Sequence, residues 1–229
     1  MGAFDYKPSY RRNLPHVQPA GATFFLTCRL AGSLPTSLIE KWNRERKWLS
    51  HLKQTNPAHY ARVESDFERT WFAKFESVLD GGSCGPLWLR DERVADQLAD
   101  SLHYRDGRVY RLDAYSIMPN HTHLVFKPLP LTQANSADSG IEPSDPTKHI
   151  ESLQYYSLAS IMQSLKGYTA FEANRILGRD GEFWAHESYD HYVRDADEWC
   201  RIIAYVLNNP VKAGYVSEWR EWKWNYRRQ

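Results

Sequence analysis

Residues 109–127, VYRLDAYSIMPNHTHLVFK, contain two strand patterns separated by only two residues. Val109 to Met118 and His121 to Lys127 are both rich in β-branched and aromatic residues. Pro119 and Asn120 leave room only for a tight turn. The two segments therefore predict an antiparallel hairpin.

Before and after this hairpin, strand and helix patterns alternate. The run from Ala22 to Leu30 predicts a first strand, and the segment 182–193, EFWAHESYDHYV, predicts later extended structure. Apolar residues at helical spacing predict helices at Ser37 to about Lys53, about Tyr60 to Leu79, a segment capped by Asp91, about Ser157 to Leu177, and about Asp195 to Asn208. This order predicts an α+β domain with the ferredoxin-like split βαβ arrangement, an antiparallel sheet and an added C-terminal helix.

The whole chain of 229 residues is long enough for one elaborated domain. We expect three additions to the basic fold. They are a helical elaboration at about 36–104, a flexible loop at about 129–150 that is rich in Pro, Ser, Asp and Thr, and a basic, aromatic tail at about 217–229.

The composition limits the classes of partner and compartment. A formal net charge of +1 gives no overall attraction to nucleic acid or to an anionic membrane, so any anion-binding surface must be local. The three cysteines, Cys28, Cys84 and Cys200, have no C-x-x-C spacing, which favours a reducing compartment. No apolar run approaches the roughly 20 residues of a membrane span, and the first residues lack a signal core. These features predict a cytoplasmic protein with no membrane contact.

His121 and His123 are one residue apart in a strand that otherwise looks buried. Side chains alternate along a strand, so the two imidazoles and Val125 share one face, while Thr122 and Leu124 share the other. At that separation two imidazoles could hold a divalent metal if a third ligand came from another element. A histidine pair of this kind is a weak indication when taken alone.

Tyr205 and Asn209 form an i, i+4 pair on the last helix, at the edge of its apolar stripe. The structural alternative is a core-edge tyrosine followed by an asparagine at a helix end that Pro210 terminates. Tyr168 is a second helical tyrosine, but position 172 offers glutamate instead of an amide. His186, Glu187, Asp190 and His191 could form another metal cluster, although their spacing favours surface or packing roles.

Several segments of the sequence resemble the same protein family. MPNHTHLVF (118–126) resembles the H-U-H motif of the single-tyrosine transposases of the IS200 type and, more closely, of the REP-associated tyrosine transposases. Three further stretches are similar to the latter group: RRNLPHVQPAGATFFLTCRLAGSLP (11–35), SLKGYTAFEANRILGRDGEFWAHESYDHYVRD (164–195) and AYVLNNPVKAGYV (204–216). The resemblance covers most of the chain and keeps order and spacing. Thr122 departs from the bulky hydrophobic residue that is usual between the two histidines.

The resemblance implies a metal-dependent endonuclease and transposase that acts on single-stranded DNA beside a REP-like hairpin. It places the nucleophile on Tyr205 and the ligands of a Mg²⁺ or Mn²⁺ ion on His121, His123 and Asn209. Attack would leave a 5′-phosphotyrosine and a free 3′-hydroxyl. The chain contains no phosphate-binding G-x-x-x-x-G-K-[ST] loop, consistent with strand joining without ATP. The REP-associated group is expected to act as monomers, with a dimer as the alternative.

Cations and aromatic residues of the second half are candidates for DNA contacts, because charge follows the backbone and aromatic rings stack on bases. These residues are Lys166, Arg175, Arg179, Arg194, Arg220, Trp222, Lys223, Trp224, Arg227 and Arg228.

Two other functions remain open. One is a hairpin-DNA-binding protein that does not cleave, and the other is a metal-dependent hydrolase of small phosphates, in which Tyr205 would be dispensable.

Overall fold

A computed structural model describes residues 9–11, 15–17, 19–82, 84–131 and 154–229. Apart from residues 129–131, the loop expected at 129–150 lies outside these ranges. The strands are β1 (Ser9–Arg11), β2 (Pro15–Val17), β3 (Phe24–Arg29), β4 (Tyr110–Ile117), β5 (His121–Pro128), β6 (Tyr189–Tyr192) and β7 (Asn225–Arg227). The helices are α1 (Thr36–Thr55), α2 (Pro57–Asp80), α3 (Glu92–Arg105), α4 (Leu158–Leu177) and α5 (Ala196–Lys212), with 3₁₀ turns at Trp88–Arg90 and Trp219–Glu221.

The main sheet has the order β6-β3-β5-β4-β7, and all of its neighbouring strands are antiparallel. Without β7, this is the order that the split βαβ, ferredoxin-like arrangement requires, so the predicted fold class is confirmed. The predicted hairpin is β4–β5, whose turn is closed by a hydrogen bond from Met118 N to His121 O of 2.8 Å.

The two faces of the sheet have different partners. One face carries Leu124 and Phe126 and forms the main core with α3 and α4. The other carries Val125 and packs with residues of α5 and with Phe72 of α2. As the period-two pattern predicts, the histidines of β5 belong to this second face. They therefore lie between the sheet and the helices α2 and α5.

The predicted helical elaboration consists of α1, α2 and α3. Asp91 caps α3 as expected, by accepting a hydrogen bond from Arg93 N, and α3 belongs to the common fold. The helices α1 and α2 form an extra hairpin between β3 and α3. Its two ends meet where Gly85, at a φ of 75°, packs against the carbonyl of Gly32.

Two features of the C-terminal part differ from the prediction. Helix α5 continues through Pro210 to Lys212 instead of ending near Asn208, and Tyr215 N donates to the Pro210 carbonyl at 2.9 Å. The last residues are also not a simple tail. Trp222 Nε1 donates to Ile117 O, and β7 then pairs with β4 as an edge strand, so tertiary packing orders a segment whose composition gave no strand signal.

No helix within the described part of the chain is both long and apolar enough to cross a membrane.

We expect Gly85→Ala to destabilise the protein more than Gly107→Ala. Both glycines have a left-handed backbone, which costs an alanine roughly 1–2 kcal/mol. A Cβ at Gly85 would also overlap the Gly32 carbonyl and lie 2.8 Å from Ser33 Cα, whereas a Cβ at Gly107 meets nothing within 4 Å. Urea unfolding of the two variants measures the difference. Equal losses of unfolding free energy in the two variants would show that the two ends of the α1–α2 hairpin can separate without destabilising the protein.

Candidate functional site

The two histidines of β5 are fully buried and point at each other. The relative exposure of both His121 and His123 is 0%, and their Nε2 atoms are 3.1 Å apart. On the adjacent strand, Thr27 lies opposite His123 in the sheet register. The backbone of a central hairpin therefore fixes both imidazoles on one face of the sheet.

Each imidazole is oriented through its other nitrogen. His121 Nδ1 lies 2.7 Å from Asn120 Oδ1. The Asn120 amide is itself held because its Nδ2 donates to Leu79 O at 2.9 Å. In a neutral His121 the proton therefore resides on Nδ1, and Nε2 presents a lone pair. His123 Nδ1 lies 2.9 Å from Thr27 Oγ1, so its Nε2 can face the same point with a lone pair as well.

Glu76 of α2 completes this cluster, and the sequence did not single it out. Its Oε2 lies 3.2 Å from His123 Nε2, and its side chain is 4% exposed. Glu76, His121 and His123 each offer a ligand atom within 4.8 Å of the others, and they are the only such group among the residues that the structure describes. The sequence did contain one indication of this role. Glu76 lies one helical turn after Phe72 and one turn before Leu79, which places it on the inward side of α2.

The predicted pair on α5 reaches the same place. Tyr205 OH donates to Glu76 Oε2 at 2.5 Å. Asn209 is 1% exposed, and among the described residues neither its Oδ1 nor its Nδ2 has a hydrogen-bond partner of normal geometry. Its amide nevertheless lies close enough to His121 and Tyr205 to affect the pKa of both groups. A buried amide needs partners, and a bound cation would supply one to its Oδ1.

Burial and mutual charge set the protonation of the cluster. Burial, followed by the charge of His123, lowers the pKa of His121 to about 3. Burial is the largest influence on the pKa of Glu76 and acts to raise it, but His123, His121 and the hydrogen bond from Tyr205 together outweigh burial and lower the value to about 2. Burial and then the carboxylate of Glu76 raise the pKa of Tyr205. At neutral pH the cluster therefore holds a neutral His121, an ionised Glu76 and a protonated Tyr205.

The donor set fits a divalent cation. Two ligands at roughly 2.1 Å from one ion, and at a right angle to each other, are about 3 Å apart. The observed separations of 3.1 Å between the imidazoles and 3.2 Å between His123 and Glu76 match that spacing. Imidazole, carboxylate and amide donors suit Mn²⁺, Mg²⁺ and other divalent ions. Asn209 supplies a fourth potential donor.

The other candidates of the sequence lie elsewhere. Tyr168 is 51% exposed on α4, which packs against the opposite face of the sheet. Of the second cluster considered, His191 pairs with Glu198 at 3.0 Å. No metal-binding group that includes this cluster was found in the described ranges.

The candidate DNA-contacting cations are mostly engaged within the protein. Lys166 Nζ donates to the Ala185 and His186 carbonyls, Arg175 pairs with Glu172, and Arg179 lies 3.7 Å over the ring of Trp88.

The C-terminal candidates behave in the same way. Lys223 pairs with Glu92 and Asp96, Trp224 Nε1 donates to Asp96, and Arg228 pairs with Asp106. Arg194, Arg220 and Arg227 are exposed and form no salt bridge with another described residue, although Arg220 lies 4.5 Å over the ring of Trp219.

Comparison with known proteins gives one sequence relative and one structural neighbour. Over 112 residues the chain is 27% identical to a curated protein of Haemophilus influenzae that is named as a candidate REP-associated tyrosine transposase. The match covers 49% of this chain and 56% of the relative, so the chain spans little more than half of that protein. It confirms the resemblance to the REP-associated tyrosine transposases over those residues. No family model matches the chain.

A solved structure of a REP-associated tyrosine transposase bound to a REP hairpin aligns with this protein at 13% identity and a TM-score of 0.44. The alignment covers 94% of this chain and 80% of the chain in that structure.

We expect the metal-free protein to lose stability as the pH falls below about 6.5, the ordinary value for histidine. Between pH 6.5 and about pH 3, His121 is protonated in the unfolded chain but neutral in the folded protein. The free energy of unfolding therefore rises with pH across this range. His121→Gln should flatten the slope between pH 6.5 and 5, and His51→Gln, at an exposed position of α1, is the matched control. Urea unfolding in the presence of a chelator measures both. An unchanged slope in His121→Gln would contradict the buried, neutral state of this imidazole.

Proposed function

We propose that this protein is a metal-dependent DNA endonuclease and transposase with Tyr205 as its nucleophile. The observation that carries the proposal is the convergence of Tyr205 with His121, His123 and Glu76 in one buried site. A metal hydrolase would need the three ligands but not the tyrosine, and a binding module would need neither. The similarity to a protein named as a REP-associated tyrosine transposase points to the same chemistry.

The residues of the chain take separate roles in this reaction. His121, His123 and Glu76 would hold a Mg²⁺ or Mn²⁺ ion together with Asn209. When bound, the ion would withdraw charge from the non-bridging oxygens of the cleaved phosphate. Glu76 also accepts the hydrogen bond of Tyr205, which fixes the attacking oxygen and gives its proton an acceptor.

The proposed reaction is a transesterification, in which one phosphoester bond replaces another. The Tyr205 oxygen forms a bond to phosphorus, the bond from phosphorus to the 3′ oxygen breaks, and the tyrosine proton passes to Glu76. The leaving 3′ oxygen takes up a proton from solvent and becomes a hydroxyl. Since the phosphotyrosine conserves the bond energy, attack by a second 3′-hydroxyl can rejoin strands without ATP.

We further propose that the substrate is single-stranded DNA beside a REP-like hairpin. The ligand histidines are completely buried between the sheet and two helices, and a stiff duplex is poorly suited to reach them. Among the candidate DNA-contacting residues, Arg194, Arg220 and Arg227 are exposed and available to phosphates. We expect the ion-paired members, Lys223 and Arg228, to contribute less because binding DNA would break their existing contacts. A monomeric state and a cytoplasmic location stay predictions.

The test is formation of a covalent protein–DNA adduct. Wild-type protein with Mn²⁺ and single-stranded oligonucleotides that carry the hairpins flanking its gene should yield a cleaved strand and an adduct on a denaturing gel. Tyr205→Phe should yield no adduct, because it lacks the attacking oxygen. Chelation of the metal should reduce the yield at least a hundredfold, consistent with the usual contribution of electrostatic stabilisation.

Tyr168→Phe is the matched control, since this tyrosine is exposed and lies across the sheet from the site. It should form the adduct at the wild-type rate. Hairpin binding without any cleavage would replace the proposal with a binding function. Cleavage that survives in Tyr205→Phe would indicate a hydrolase that uses water.

A further inference from the structure

A cavity of about 80 Å³ lies between the α1–α2 hairpin and the β3–β6 edge of the sheet. A buried water needs about 10–15 Å³ by this measure, so the cavity has room for roughly six waters or for one flat ring. It borders the candidate catalytic site directly, because Glu76, Thr27 and Tyr189 belong to its walls.

Aromatic rings form most of the apolar wall of this cavity. They include Trp42, Phe67, Phe72, Phe75 and Tyr189. The rings of Phe72 and Tyr189 are 4.5 Å apart, and Phe72 lies 6.1 Å from the ring of Tyr205. A group inside the cavity would thus lie one side chain away from the nucleophile. Such a wall suits a flat, aromatic occupant, because rings stack or meet edge to face at these distances.

The charged groups of the cavity determine what else the occupant must offer. Besides Glu76 of the candidate metal site, three carboxylates line it, those of Glu64, Glu68 and Glu187, against the two guanidinium groups of Arg29 and Arg46. Burial, followed by the charge of Glu64, raises the pKa of Glu68. A phosphate would meet repulsion in such surroundings. A neutral ring with N–H donors would be attracted to the carboxylates.

We propose that this cavity binds the base of a nucleotide that flanks the cleaved phosphate, and that it prefers bases with an exocyclic amine. Base stacking on aromatic side chains tolerates any sequence, whereas carboxylates accept hydrogen bonds from the amines of cytosine or adenine. Thymine presents a carbonyl oxygen in place of that amine and would be disfavoured. This assignment rests on the function proposed above, and it requires the base to be unpaired and turned out of the strand.

The test selects DNA by covalent capture. Wild-type protein and Mn²⁺ are mixed with single-stranded oligonucleotides that carry a hairpin beside a randomised segment. Both the captured and the released strands are then sequenced. At one position flanking the cleaved bond, we expect thymine to be depleted about tenfold relative to the other bases, a difference within the range of a single good base contact.

Two variants of the cavity should alter the base profile at that position alone. Ser50→Phe adds a ring inside the cavity, since Ser50 lines it, and Glu68→Gln removes one carboxylate without changing its shape. We expect the preference to disappear in Ser50→Phe and to weaken in Glu68→Gln, which loses the charge but keeps an acceptor oxygen. The adduct yield of Ser50→Phe should fall roughly tenfold, as for the loss of one stacked base. The controls are Ser77→Phe and Asp66→Asn, which make the same changes at exposed positions of α2 outside the cavity.

The outcomes separate this assignment from the proposed function. Adducts with no base preference, or with the same preference in Glu68→Gln as in the wild type, would overturn the base site and leave the nuclease intact. If Ser50→Phe fails to fold, as judged by its urea unfolding, Glu68→Gln decides alone. A wild-type protein that forms no adduct overturns the proposed function, and the base site with it.

Discussion

Three electron-pair donors converge at one buried point of this protein, and together they offer a site for a cation. The Nε2 atoms of His121 and His123 are 3.1 Å apart, and a carboxylate oxygen of Glu76 lies 3.2 Å from the second of them. Lone pairs repel one another at such distances unless a proton or a metal ion lies between them. The hairpin β4–β5, the turn residue Asn120 and the helices α2 and α5 all hold parts of this cluster in place.

The extra helical hairpin is therefore part of the site. Helix α2 supplies Glu76, holds Asn120 through the carbonyl of Leu79, and packs Phe72 against the ring of Tyr205. The common fold provides the histidines and the tyrosine on adjacent elements, and the insertion then closes over them. One carboxylate contacts both the imidazole of His123 and the phenol of Tyr205, so in the proposed reaction the same group would position the nucleophile and help to hold the metal ion.

Local sequence patterns predicted much of the fold and of the candidate site. The period-two alternation placed His121 and His123 on one face, the short Pro119–Asn120 linkage gave the hairpin, and helical spacing put Tyr205 beside Asn209. Glu76 was missed because its partners lie far away in the chain, and an isolated glutamate in a helix usually faces water. Strand β7 was missed for a related reason, since β4 provides the hydrogen-bonding edge that orders it. The helix was expected to end near Asn208, but it continues about one turn further, through Pro210 to Lys212.

The central claim is that Glu76 joins the two histidines in a single metal site beside Tyr205. Diffraction at the manganese absorption edge, from crystals of the protein grown with Mn²⁺, tests it most directly. The account predicts one strong anomalous peak at roughly 2.1 Å from Nε2 of His121, Nε2 of His123 and a carboxylate oxygen of Glu76. A peak elsewhere in the protein, or a peak at the histidines with Glu76 turned away, would contradict it.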